Sequence, residues 1–262
     1  MQIEADKLFV HIPYRILLNN LDKLAKLGIN AEIYVDADSL DTYTTQEIDL
    51  INSFFAKYGL KKILHGPIYD LNPGSLDRHI RRVSQERIGE TVSLCEKLNT
   101  NHIVFHHGFN RIYYKTYREK WLENSSTGWK PVARYCLQKN INLAIENSLD
   151  PEPNIILDSI ARINLPNFKA CFDIGHFNAF GNEPALDIFK RYPKEVIGEI
   201  HLSDNTRTCD DHLALGKGNI DFKKFFELLE ANKINPIVTI EPHSLEDIKP
   251  NLEYLSKIEE LT

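Results

Sequence analysis

Two pairs of residues set the chemical question. Asp173 and His176 stand three positions apart in CFDIGHF, where an apolar run stops, and Asp210 and His212 stand two apart in CDDHLALGKG. Carboxylates and neutral imidazoles are the donors that zinc or manganese takes. An Asp-x-His on extended chain sends both side chains to one side, where they can share an ion. A helix or turn cap accounts for Asp210 alone but leaves His212 unexplained. GKG, Gly216 to Gly218, reads either as a phosphate cradle or as the turn that starts the next helix.

What positions these residues is an alternation of strand-like and helix-like segments along the whole chain. The strand candidates are LFVHIPY, INAEIYVD, KKILHGP, HIVFHHG, INLAIENS, FKACFDIGHF, VIGEIHLSDN and INPIVTIEPH. Helical spacing separates them, as in SLDRHIRRVSQERIGETVSLCEKLN and DFKKFFELLEAN, and LEDIKPNLEYLSKIEEL closes the chain. Eight strand-plus-helix units in 262 residues predict an α/β fold, a single (β/α)8 barrel over residues 1–262, with a doubly wound open sheet as the rival. No Pro/Gly/Ser-rich linker divides it.

Strand alternation identifies the residues that face the barrel axis. In INLAIENS, Ile141, Leu143 and Ile145 share one face, while Asn142, Ala144 and Glu146 share the other. The axial residues nearest the strands' C-terminal ends are, in order, His11, Glu32, His65, His106, Glu146, Asp173, His201 and Glu241. All are ionisable, where a purely structural core would hold Val, Ala or Ser. Left unpaired, each costs several kcal/mol to bury, and a bound cation removes that cost. By the same alternation His106 faces the ion and His107 does not.

Composition narrows the partners. The formal net charge is −6, which gives no overall attraction to nucleic acid or to an anionic membrane. No apolar run reaches the ~18 residues that span a bilayer, and no charged-then-apolar leader opens the chain. Cys95, Cys136, Cys171 and Cys209 form no CxxC pair, so a reducing cytoplasm is the expected compartment.

With these residues in view, the chain resembles the endonuclease IV and xylose isomerase-like TIM-barrel superfamily. HGPIYDLN resembles its strand-three motif, FHHG its FHPG, CFDIGH its C-x-D-x-x-H, and DDHLALGKGNI its D-x-H-x-x-L-G-x-G-x-I; IEN, IHLSD and IEP complete the order. The resemblance to endonuclease IV implies a trinuclear zinc site on His65, His106, Glu146, Asp173, His176, His201, Asp210, His212 and Glu241, up to three Zn2+ with Mn2+ an alternative. There are departures. Tyr69 comes one place late, DIGH stands for DTCH, and the DNA-penetrating loop has no clear counterpart. Glu32 resembles the strand-two glutamate of sugar isomerases and epimerases.

Three clustered metals suit phosphodiester hydrolysis, on abasic-site DNA or a smaller phosphoester, with Glu146 orienting or deprotonating the water. That is the leading reading. The alternative is a sugar or sugar-phosphate isomerase or epimerase using one metal on Glu146, Asp173, His201 and Glu241, with Glu146 and Glu241 moving the proton. A non-catalytic metal-binding barrel comes third, because no ligand position holds an inert residue. His11, Glu32, Tyr69, Arg207 and Lys217 are candidate substrate contacts. Trp121 and Trp129, in the segment between strands four and five, are expected to pack helix four and not to stack a base.

Overall fold

The computed structural model describes residues 3–259. Eight parallel strands form a closed barrel in chain order: β1 Leu8–Pro13, β2 Asn30–Tyr34, β3 Lys62–His65, β4 His102–His106, β5 Asn142–Glu146, β6 Phe168–Asp173, β7 Ile197–Leu202 and β8 Ile237–Ile240, which pairs with β1. Each strand candidate holds one of them, so the (β/α)8 expectation stands and the open-sheet rival falls.

The alternation that orders the strands also divides the core. Val10, Ile12, Ile103, Phe105, Leu143, Ile145, Val238 and Ile240 pack outward into one continuous apolar layer beneath the helices. Val104, Ala144 and Cys171 point inward and form a separate cluster on the axis. Pairing register then levels the ionisable residues: His11 lies beside Glu32, His106 beside Glu146, and Asp173 beside His201.

Helix starts are written in the sequence. Asp77 accepts from the backbone N–H groups of His79 and Ile80 and opens the helix Arg78–Lys97; Asp221 accepts from that of Lys224 and opens Phe222–Ala231. The helix Arg118–Gln138 buries Trp121 and Trp129 as expected. Trp121 donates its indole N–H to Asn72 Oδ1 at 2.8 Å, and Trp129 lies 5.3 Å from the Phe105 ring, centroid to centroid. The last helix is Ile248–Glu259; the Glu260 and Leu261 of its sequence pattern lie outside the described residues. No described helix is long and apolar enough to cross a membrane.

Candidate metal centre

Glu146, at the end of β5, is the hub. Its Oε2 lies 2.9 Å from His65 Nε2 and 3.1 Å from His106 Nε2; its Oε1 lies 3.2 Å from His176 Nδ1 and 3.6 Å from His201 Nδ1. His201 Nδ1 is also 3.1 Å from Glu241 Oε1. On the far side, Asp210 Oδ2 sits 3.2 Å from His176 Nε2 and 2.9 Å from His212 Nε2. The nine positions thus fall into three groups whose donor atoms lie within 4.8 Å of one another: His65–His106–Glu146, Glu146–Asp173–His201–Glu241, and His176–Asp210–His212.

The Asp173–His176 spacing has a local cause. His176 is not in a loop, as the end of the apolar run suggests, but in the helix Ile174–Phe180 that follows β6 directly. Asp173 caps that helix, its Oδ1 accepting from the His176 backbone N–H at 2.6 Å. Capping spends one oxygen and leaves Oδ2, buried and without a hydrogen-bond partner, for the centre.

Two observations fit these residues to a divalent cation. Buried atoms without a hydrogen-bond partner concentrate here, among them Glu146 Oε1, Asp173 Oδ2, His201 Nδ1, Asp210 Oδ1 and Glu241 Oε2. Such orphans are costly unless an ion is their partner. Second, the opposite ring nitrogens have acceptors of their own. His65 Nδ1–H donates to the Gly66 carbonyl at 2.8 Å, His176 Nδ1–H to the Asn147 carbonyl at 2.7 Å, and His201 Nε2–H to Glu32 Oε2 at 3.2 Å. Metal-binding histidines are held in this way, with the free nitrogen aimed inward.

Charge in the cluster follows the same logic. Burial pushes the Asp173 carboxyl up to about 8, with Glu241 and Glu146 adding to the rise. Glu146 falls well below the usual carboxylate range although burial opposes it, because His106 and His201 press on it as positive charges. Burial opposes the charged form of His212 as well, yet Asp210 and Glu241 carry it up to about 9. A divalent ion held by these residues would therefore compete with protons for the same oxygens and ring nitrogens.

The remaining candidates separate. His11 lies 3.7 Å from Glu241 and, with Tyr69, lines the cavity of about 1110 Å³ that opens over the centre between Tyr113, Leu149 and Phe180. Glu32 is not among the residues lining that cavity: it is fully buried beneath His201, whose Nε2 lies 3.2 Å from its Oε2. Arg207 and Lys217 are exposed and not among the cavity's lining residues, because the loop after β7 turns them outward.

GKG is likewise no phosphate cradle, since its donors are already taken. The buried carboxylate of Asp204 accepts from the backbone N–H groups of Asn205, Gly216, Gly218 and Ile220 at 2.8–3.3 Å. Gly216 has φ +79°, and a Cβ on Gly218 would stand 2.2 Å from Asp204 Oδ1. Asp204→Ala orphans four donors in the loop that carries Asp210 and His212. At ~1–3 kcal/mol for each buried unsatisfied group, urea unfolding is expected to show a loss of about 3 kcal/mol or more.

His107 is accounted for without metal. Its Nδ1 accepts the Phe109 backbone N–H at 2.8 Å, which leaves the proton on Nε2 to donate to Asp150 at 2.6 Å. Both nitrogens are spent. His106→Ala is expected to lower bound metal, measured by emission spectroscopy, whereas His107→Ala keeps it and loses stability instead. Sequence reasoning misses three buried residues that support this region: Asp204, and the pair His102 and Glu199, joined at 2.6 Å.

The (β/α)8 barrel gathers carboxylates and imidazoles that could hold a metal ion at the C-terminal ends of its strands, the face where barrels of this kind carry their sites. The chain belongs to the xylose isomerase-like TIM barrel family, which it matches over residues 21–258. It is similar in structure to a D-tagatose 3-epimerase-like protein (TM-score 0.85, 23% identity, 97% of each chain). A protein from Thermus thermophilus, solved after soaking with ZnCl2, superposes with TM-score 0.81 at 21% identity, covering 98% of this chain and 99% of that one. In sequence, the L-ribulose 3-epimerase of Methylomonas sp. is 29% identical over 135 residues, 49% of this chain and 45% of that protein.

Proposed function

We propose that this protein is a metal-dependent epimerase or isomerase of a small sugar or sugar phosphate. The observation that carries the reading is the pairing of Glu146 and Glu241. Both are buried, both stand beside His201 Nδ1, and their donor oxygens lie within 4.8 Å of each other at the floor of a cavity of about 1110 Å³. A divalent cation held by Glu146, Asp173, His201 and Glu241 would polarise a substrate carbonyl and acidify the neighbouring C–H. One glutamate takes that proton and the other returns one from the opposite side, which inverts the carbon. Similarity to proteins named as sugar epimerases supports this reading over diester hydrolysis, and nothing at the cavity mouth argues for DNA.

Phosphoester hydrolysis remains the second reading, favoured by the His65–His106 and His176–Asp210–His212 groups, which a single-metal epimerase does not need. The deciding experiment incubates Mn2+- or Zn2+-loaded protein with a panel of ketoses, aldoses and their phosphates in deuterium oxide, and separately with a model phosphodiester. Deuterium next to the carbonyl, together with a new epimer or isomer, is the expected result. Diester cleavage without exchange would reverse the order of the readings. His212→Ala divides them again: sugar turnover should stay within about tenfold, ~1.4 kcal/mol, whereas a hydrolase would lose its diesterase activity.

A further inference from the structure

Below the centre lies a second polar layer that neither reading of the reaction uses. Glu199 precedes His201 by two residues on β7 and therefore shares its axial face. Its Oε2 meets His102 Nε2 at 2.6 Å and its Oε1 meets Thr239 Oγ1 at 2.6 Å. Thr239 Oγ1 is also 3.1 Å from Glu32 Oε2, the oxygen that accepts from His201 Nε2. Glu199 Oε1 itself lies 3.6 Å from His201 Nε2. Glu32, Glu199, His201 and Thr239 are fully buried and His102 is 4% exposed, so water does not supply these bonds.

A threonine hydroxyl has one proton to donate. Two carboxylate oxygens are within its reach, Glu199 Oε1 at 2.6 Å and Glu32 Oε2 at 3.1 Å, and the shorter contact favours Glu199 as the acceptor. Glu199 is thus anchored at both oxygens, by His102 from β4 and Thr239 from β8, and presents fixed negative charge to the lower edge of the His201 ring. Burying a second carboxylate beside Glu32 is unfavourable by itself and needs a compensating role.

We propose that Glu199 is a positioning residue: braced by His102 and Thr239, it acts with Glu32 to keep the His201 proton on Nε2, so that Nδ1 is turned unprotonated toward Glu146 and Glu241 as a metal ligand. His65 and His176 have backbone carbonyls for this purpose. His201, on the barrel axis, is held by side chains instead: its Nε2 meets Glu32 Oε2 at 3.2 Å, with Glu199 Oε1 at 3.6 Å. The inference rests on the metal assignment and not on the sugar reading.

The test uses no substrate, so its failure is distinct from a failure of the proposed reaction. Zinc is titrated into the metal-free full-length protein carrying 15N-histidine, and long-range 1H–15N correlations follow His201, with His212 as the internal control. The wild-type zinc form is expected to carry its His201 proton on Nε2. In Glu199→Gln, half-saturation at His201 should need ten- to a hundredfold more zinc, the loss typical of removing a ligand's hydrogen-bond partner, while His212 titrates as before. Thr239→Val keeps both carboxylates and should move His201 in the same direction; it decides alone if Glu199→Gln does not fold. A His201 midpoint within twofold of wild type in the folded variants, or a proton on Nδ1 in the wild-type zinc form, would overturn the proposal.

Discussion

Glu146→Gln is expected to lower turnover by about 10⁴-fold, the upper end of what one acid–base group supplies. Two losses coincide in this one substitution. The amide cannot accept a proton at the substrate carbon, and it removes a negative charge within 3.6 Å of four imidazoles, those of His65, His106, His176 and His201. Glu146 also belongs to two of the three donor groups, so metal content should fall by more than one equivalent if both are filled. Metal analysis beside a deuterium-exchange assay checks both parts. A variant that kept wild-type metal and lost only exchange would restrict Glu146 to proton transfer.

Glu241→Gln tests the other half of the pair and should behave differently. Epimerisation is expected to fall about 10³-fold, because the carbon can no longer be served from both sides. The remaining carboxylate still faces one side, so solvent deuterium should enter one epimer faster than the other. Proton magnetic resonance of each pure epimer in deuterium oxide measures this. Equal loss of exchange from both epimers would mean that Glu241 acts through the metal alone.

Much of this arrangement was legible in the sequence because strands impose a strict period of two. Reading the uppermost axial residue of each strand found His65, His106, Glu146, Asp173, His201 and Glu241, and the structure converges all six. The same period applied one step lower would have reached His102, two before Val104, and Glu199, two before His201. Both lie below the uppermost axial position of their strands, the level at which a site at the barrel mouth is read. The number of ligand positions in the sequence favours hydrolysis, whereas likeness to sugar epimerases favours the isomerase or epimerase alternative.

Loop residues were harder, for a physical reason. Nothing periodic governs the segment 203–220, so only charge and chain position point to Arg207 and Lys217, and the fold turns both to solvent. Asp204 is the reverse case. Its partners Gly216, Gly218 and Ile220 lie 12 to 16 residues downstream, a pairing that only loop closure creates. His176 could have been placed, since an Asp three residues before it is a helix-start signal.

The carboxylate of Asp204 bears on the substrate class proposed above. A glycine-rich turn with converging N–H groups is the kind of nest that captures a phosphate from solution. Here the nest is occupied by an anion tethered to the same chain, and a tethered group competes at an effective concentration of millimolar or far higher. Free phosphate therefore cannot dislodge it at ordinary concentrations. The loop bearing Asp210 and His212 thus keeps its shape whether or not the substrate is phosphorylated, and any preference for a phosphate group must be set elsewhere on the cavity wall.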